Sequence, residues 1–524
     1  MRPSHGLLRS IIVVVAAVSL TAGLLAGVIA PAAMAVPGPA PDSADTTRSG
    51  GSSCGALVSR TDSIGARVDA GLTELTWRGD TSPLTEAGFS RLRATSGRDA
   101  LWLHSLAWLI PQAATNPGRT ADVVAAYTEA LPDPGPDVDA GTLRRTGWTE
   151  GQIRRRLETM ECLYRRTGRA EFAAVAVRLG DALLDDRRYY GLPLTRPHNH
   201  GAHSNLVLTR AGRFFDQPQW LAKAQERTVR DRAEVFAPCG MSDEQSSGYQ
   251  ALNVSLWERL SRAVGVSSDR RAQQALTALT RPDGVLEPIG DGRIRTERRG
   301  GGTLWCSEEG WAASTVDGMH YTARFGPRRM RHGHLDHGAV TWFTRGISVL
   351  EDRATAPKSD ARALEWSRGA SAHSTLELVG ASSDSEMSAR RTGEHAYLLQ
   401  ASNPWRHQRA VFFDPDRVKV TDSATSTASG TWIQHWQFSP GWEPVRSADG
   451  TATGVLVTDS GATVQVNCVE SGRKVTPTPV RVRSFVGSAP AWAWDMQCRH
   501  TGTRVEFSSR VSWIGEAGTV ESVR

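Results

Sequence analysis

Between about residues 72 and 279 apolar positions return at intervals of three and four, in segments such as "RDALWLHSLAWLIPQAA", "TEGQIRRRLETMECLYRR", "AEFAAVAVRLGDALLDD" and "YQALNVSLWERLSRAV". That spacing lines one face of a helix. Pro- and Gly-rich breaks, "LPDPGPD" and "GLPLTRP", separate the segments and no strand-like run interrupts them, so the pattern predicts an all-α array of paired helices. The triplet Arg154, Arg155 and Arg156 reads as a solvated helix face. After "RPDGVLEPIGDGR" the texture changes to short alternating runs such as "GAVTWFTRGISVL", "HSTLELVG", "RAVFFDPDRVKVTD" and "ATVQVNCV", bounded by Gly, Asp and Ser. Runs of that length and period predict antiparallel strands. The boundary falls near residue 300, with "ERRGGG" as the hinge.

The first residues belong to neither pattern. Arg2 and Arg9 precede an apolar run over residues 11–30, followed by Pro31 and the small-residue site Ala33-Met34-Ala35. This predicts a secretory signal over residues 1–35 and, behind it, a loop-like linker over residues 36–53. A retained membrane anchor is the competing reading, since the run is just long enough to span a bilayer. The cleavage site favours export, with no membrane association of the mature chain. The six cysteines lie at Cys54, Cys162, Cys239, Cys306, Cys468 and Cys498, all behind the signal and with no C-x-x-C pair. An even count in an exported chain predicts disulfides rather than a thiolate metal site. Cys468 with Cys498 is the expected pair in the strand-rich part, and the other pairings stay open. Losing Arg2 and Arg9 lowers the formal charge from +6 to +4, a modest excess that suits an anionic partner but also simple solubility. Of the 17 tryptophans, Trp405, Trp436 and Trp442 fall in loop-like stretches that suit either sugar stacking or a core.

Three clusters combine reactive side chains with turn formers: "RPHNHGAHSN", "GMSDEQSSGYQ" and "MRHGHLDHGAVTW". Singly, each is equally well explained by a core histidine or tyrosine. In order along the chain they resemble something definite. "NHG", "EQSSGY", "GD", "HGHLDHGAVTW", "GISVLED" and "SAHSTLEL" form a string similar to that of the heparinase II/III-like polysaccharide lyases, a group that includes alginate and oligoalginate lyases. The resemblance covers roughly residues 190–440.

The resemblance implies an α+β multidomain chain, with an incomplete (α/α) toroid over residues 54–300 followed by an antiparallel β-sandwich over residues 301–524. It implies β-elimination of a uronic-acid polysaccharide, glycosaminoglycans being favoured. In that reaction the C5 proton is removed beside a carboxylate and the C4 oxygen leaves. Asn199 and His200 would neutralise the uronate carboxylate, as preorganised donors do for a developing oxyanion. For the base and acid roles Tyr249 ranks first and His332 second, and Tyr249 would serve as both where the C5 proton and the leaving oxygen lie on the same side. The Tyr249 phenol, ordinarily near pKa 10, would need cations such as His200, His332 or Arg331 to favour its ionised form. Glu244, Gln245 and Arg331 would contact sugar, although helix capping accounts for the first two as well. By the same resemblance His334, Asp352 and His373 would bind a structural zinc, with Asp336 orienting a loop or histidine nearby. Some members carry a further tyrosine between the metal aspartate and the metal histidine; residues 353–372 of this chain contain only Trp366 among aromatics, so a tyrosine-to-tyrosine relay is not expected.

Two other classes compete. A glycosidase needs two carboxyl groups flanking the bond, and Glu244 with Asp291 is the evident pair. A non-catalytic module binding acidic glycans would use the positive excess and the tryptophans. Arg324, Arg328, Arg329 and Arg331, packed before the His motif, suit bidentate binding of substrate carboxylates or sulfates and equally a solvated basic loop. Nothing in the chain points to nucleic acid, and oligomeric state is not legible.

Overall fold

The computed structural model describes residues 50–92, 97–135, 137–191, 196–292, 300–327, 332–381, 386–486 and 489–516. The proposed leader, most of the linker and Arg328, Arg329 and Arg331 lie outside the described residues. Among those described, no helix is long and apolar enough to cross a membrane.

Helices dominate from Gly50 to Ala278, and strands from Thr303 onward. The departure from the periodicity reading is a small three-stranded sheet, Arg67–Val68, Glu74–Trp77 and Asp80–Pro83. Leu75 and Trp77 point into the core while their neighbours face solvent, and Arg78 and Gly79 turn the chain with φ of 52° and 90°. Two residues at positive φ make the tight hairpin turn whose twist matches that of paired strands, so a segment expected to be helical closes locally as a hairpin.

Beyond the helices, five strands form an antiparallel meander in chain order: Thr303–Cys306, Trp311–Val316, Met319–Arg324, Val340–Thr344 and Ile347–Leu350. The Met319–Arg324 and Val340–Thr344 strands are buried at every position, without the alternation of a sheet wet on one side. The reason is that both faces are covered. On one face Tyr321, Trp342 and Val349 pack with Tyr397, Val418 and Trp432 of an 11-stranded antiparallel sheet. On the other, Leu304, Trp311 and Ala313 pack with Val254, Trp257 and Leu276 of the helices. Trp405, Trp436 and Trp442 are all buried core residues, so they are not sugar-stacking surfaces. Arg324 is buried as well, with its guanidinium on Asp336 and on the carbonyls of Glu309, Gly310 and Phe325. It holds a loop and is not available to a substrate anion.

All six cysteines pair: Cys54–Cys162, Cys239–Cys306 and Cys468–Cys498, the last as expected from the sequence. Cys239–Cys306 joins the helical half to the first strand of the meander across 67 residues. Closing a loop of that size restricts the unfolded chain by about 4 kcal/mol in the chain-entropy picture. Replacing Cys239 and Cys306 together by Ser is expected to lower unfolding free energy by about 2–4 kcal/mol in urea titrations, while far-ultraviolet circular dichroism of the native form stays unchanged.

Candidate active site and metal cluster

Two helix starts and two loops converge where the helices meet the meander. The Asn199–Phe214 helix is capped by the His198 imidazole, which accepts from the His200 backbone N–H at 3.2 Å. The Ser247–Val264 helix is capped by Ser246, whose hydroxyl accepts from the Tyr249 N–H at 3.2 Å. Capping of this kind fixes where the first-turn side chains stand. Against the second helix start lies the Gly290-Asp291-Gly292 loop. Asp291 N–H donates to the His332 carbonyl at 2.8 Å, and Ser246 Oγ donates to the Asp291 carbonyl. The approach is as close as glycine permits. A Cβ on Gly290, which sits at φ 72°, would lie 2.8 Å from the His332 carbonyl oxygen, and one on Gly248 would lie 2.8 Å from that of Asp291. Hence the glycines of "SSGY" and "GDG".

This packing brings together Asn199, Glu244, Tyr249, Asp291 and His332. The Tyr249 ring is stacked on the His332 imidazole with centroids 3.4 Å apart and planes 11° from parallel. His332 Nδ1 lies 3.1 Å from Asp291 Oδ2, and its Nε2 lies 3.4 Å from Glu244 Oε2. Glu244 also accepts from Asn253 Nδ2 at 3.0 Å and from Asn199 Nδ2 at 3.5 Å. Gln245 is buried at φ 50° and donates its amide to the Pro327 carbonyl at 2.6 Å, so it anchors the loop beside the site. His200 turns outward: its side chain is 61% exposed and its Nδ1 lies 3.3 Å from Glu150 Oε1.

Asp291 is a hub that the sequence offered only as half of a glycosidase carboxyl pair. Besides His332 it contacts His334 Nε2 at 3.1 Å, Thr355 Oγ1 at 2.9 Å and Arg368 Nη2 at 2.5 Å. Burial works to raise its pKa, but the hydrogen bonds from His332, His334 and Arg368 outweigh it and hold the carboxyl far below the ordinary range. Tyr249 goes the other way. Burial first, then the charges of Glu244 and Asp291, raise its pKa above 10, and Arg368 offsets only part of this. Among the described residues, neighbouring cations therefore do not outweigh burial and the two carboxylates, and the phenol keeps its proton; Arg331 lies outside the described residues.

Behind Asp291 stand His334, Asp352 and His373, all buried, each offering a ligand atom within 4.8 Å of the others. His373 Nδ1 lies 2.7 Å from Asp352 Oδ2. His334 Nδ1 and His373 Nε2 are buried with no hydrogen-bond partner. Two orphaned imidazole nitrogens and a carboxylate are a donor set that fits a borderline metal such as zinc. Asp336 is held by Arg324 at 3.3 Å, which fixes the loop carrying His334 and His337.

Residues 305–485 match the family model described as heparinase II/III-like, C-terminal. Two heparinase III structures share the fold with TM-score 0.63 and 14% identity, covering 88% of this chain and 85% and 86% of theirs. A mutant of the heparan sulfate lyase HepC of Pedobacter heparinus matches with TM-score 0.59 and 14% identity, over 88% of this chain and 83% of its own. No curated protein matches the chain in sequence. Residues 305–485 thus match a heparinase II/III-like C-terminal domain, and the chain as a whole shares the fold of these lyase structures, helices followed by antiparallel sheets.

The close approach of the two glycine motifs is open to a direct check. Gly248→Ala is expected to lower stability by about 1–3 kcal/mol, the usual range for overpacking, because the new methyl meets backbone on both Asp291 and Gly292. Gly55→Ala, in an exposed helical position with open space around it, is expected to be neutral or stabilising by up to about 1 kcal/mol. Urea midpoints of the two variants give the comparison.

Proposed function

We propose that the mature chain is a secreted lyase that cleaves a uronic-acid polysaccharide, a glycosaminoglycan in preference to alginate, by β-elimination. The observation that carries the reading is the stacked Tyr249–His332 pair, with Asn199 and Glu244 beside it. It supplies two proton-handling groups and an amide donor in one groove, the set that breaking a C–H bond next to a carboxylate requires.

The charge of the uronate comes first. Abstraction at C5 loads a second negative charge onto the carboxylate group, so donors must already be aimed there. Asn199 offers its amide, and Arg368, partly exposed beside Tyr249, offers a guanidinium that a carboxylate can share with Asp291. His200 is paired with Glu150 in the free chain, so its part in holding the carboxylate would require it to swing inward. His332 is the better base, since Asp291 orients its Nδ1. Tyr249 is the better acid: its raised pKa keeps the proton that the departing C4 oxygen needs. This reverses the ranking that motif order alone suggests, and it requires no tyrosine relay. A glycosidase acid is a poorer fit, because Asp291 is held ionised and Glu244 is engaged by two asparagines and His332.

His334, Asp352 and His373 would hold a zinc ion that braces the loop below Asp291. A metal there adds bonds between three separated segments, and this chain's own residues carry out the proton transfers. Export is supported by the signal-like leader together with three disulfides that consume every cysteine.

Incubating the purified mature chain with a panel of uronate polymers is expected to give an ultraviolet-absorbing unsaturated product from at least one; reducing ends without that absorbance would mean hydrolysis. On the active polymer, Tyr249→Phe and His332→Ala are expected to lower kcat by about a hundredfold or more, and full turnover by either would remove that residue from the chemistry. Since the protonated phenol is the working form and its pKa lies above 10, kcat is not expected to climb as pH rises from 8 to 10. For the metal, elemental analysis is expected to find zinc at one per chain in the wild type and none in His373→Ala. Chelation should lower the wild-type melting temperature; an unchanged melting curve after stripping would refute the bracing role.

A further inference from the structure

The three consecutive arginines of the Glu150–Thr167 helix are not the solvated face that their charge suggests. Arg156 is buried and bonded through Nη1 to the carbonyls of His104 and Gly147 and to the Tyr127 hydroxyl, with its guanidinium over the Trp148 ring at 4.9 Å. Arg155 donates to Glu158 at 2.7 Å and lies over Trp102 at 5.0 Å. Arg154 differs from both. It is only 6% exposed, its Nε is buried without a partner, and among the described residues nothing accepts a hydrogen bond or ion pair from its guanidinium. Burying a charge in this way is costly unless something pairs with it.

Its place can be read from the contacts on either side. The Glu150–Thr167 helix runs beside the Asn199–Phe214 helix, with Glu150 on His200 at 3.3 Å at one end and Glu158 and Glu161 on Arg210 at 3.6 and 3.0 Å further along. Residue numbers rise together along both helices, so Arg154, one turn beyond Glu150, stands level with His203. That is one turn, about 6 Å, along the same helix from Asn199. The nearby carboxylates are already taken: Glu150 by His200, Glu158 by Arg155 and Arg210, Glu161 by Arg165 and Arg210. His203 itself is pushed down to about 3, by burial first and then by Arg154, Arg155 and Arg259, so it stays a neutral donor.

We infer that Arg154, with His203 beside it, forms an oxyanion subsite for the sugar next to the one being cleaved. The inference rests on the glycan-cleaving reading above and deepens it. The oxyanion is a sulfate or a carboxylate of the polymer, and a guanidinium meets either with paired hydrogen bonds. Glu158 and Glu150 lie close enough to favour the charged form of Arg154 but are bonded to other partners, so the incoming group supplies the hydrogen-bond acceptor that the fold leaves out.

The test is equilibrium binding by calorimetry in a Tyr249→Phe background, which avoids turnover, with heparan sulfate oligosaccharides and their chemically desulfated, N-acetylated counterparts. Adding Arg154→Met is expected to weaken binding about tenfold or more, while the melting temperature holds or rises because an unpaired buried charge has gone. Loss confined to the sulfated ligand assigns sulfate; loss with both ligands assigns the carboxylate; Arg154→Lys should recover only part of the affinity. Unchanged affinity with both, or a melting temperature that falls with affinity intact, overturns the subsite. The two readings fail separately. A chain that yields no unsaturated product yet binds in an Arg154-dependent manner loses the lyase reading and keeps the subsite; turnover with Arg154-independent binding does the reverse.

Discussion

The site hangs on one buried negative charge. Asp291 receives the ring nitrogens of His332 and His334, the Thr355 hydroxyl and the Arg368 guanidinium, and its backbone is bonded to His332 and Ser246. These partners come from segments 41 to 77 residues away in sequence, apart from Ser246 at 45 on the other side. A carboxylate in this setting is stable only because each lone pair is answered, and removing an answering group would leave a charge that burial penalises heavily. Its neighbours are thereby held too. His332 and His334, the latter one of the candidate metal ligands, are two ends of one hydrogen-bonded chain through Asp291, so order at one histidine is coupled to order at the other.

The backbone is shaped to allow this. Glycines at 248 and 290 let two chain segments approach within distances that a methyl group would forbid, and Gln245 and Ala354 take positive φ on either side. Non-glycine residues in that conformation carry a local cost that surrounding contacts must offset. For Gln245 the offset is visible in its bond to Pro327, and for Ala354 in its N–H bond to Asp352. The meander sheet provides the rigid floor. Covered on both faces, it has little freedom to shift, and the loops rising from its strands inherit that constraint.

Much of this was legible in the chain and some was not, for physical reasons. Period 3.6 and period 2 separate the helical part from the strands because each reports a face that packs on one side. The hairpin around Arg78 and Gly79 left a short signal, an X-Gly turn between alternating residues, that the longer helical trend obscured. The motif order led to Asn199, Tyr249, His332 and the trio of His334, Asp352 and His373, since each sits in a turn-rich stretch with unusual chemistry. Asp291 shows only in "GD" and as a candidate glycosidase carboxyl, because a hub is defined by partners far away in sequence. Arg368 ends a short helix with no motif around it. The arginine triplet misleads for a related reason: charge predicts solvation, whereas Arg154 and Arg156 are buried, and Arg155 is half-buried, on a helix whose burial is set by its neighbours.

On the proposed lyase reading, the same buried charges set the order of events at the site. Glu244 and Asp291 make Tyr249 a reluctant base in the free chain, and a bound uronate would add a third negative charge unless its own is met first. The Asn199 bond to Glu244, at 3.5 Å, is at the long limit for a hydrogen bond, so exchanging that acceptor for a substrate carboxylate costs little. Arg368 already shares its charge with Asp291 and keeps an exposed side. On that reading, charge neutralisation by these two groups would precede proton transfer, and the stacked phenol, still protonated, would serve the departing oxygen. Under the proposed reading, a site built around ionised carboxylates would thus favour acid assistance from tyrosine, and the task of abstraction would fall to the imidazole stacked against it.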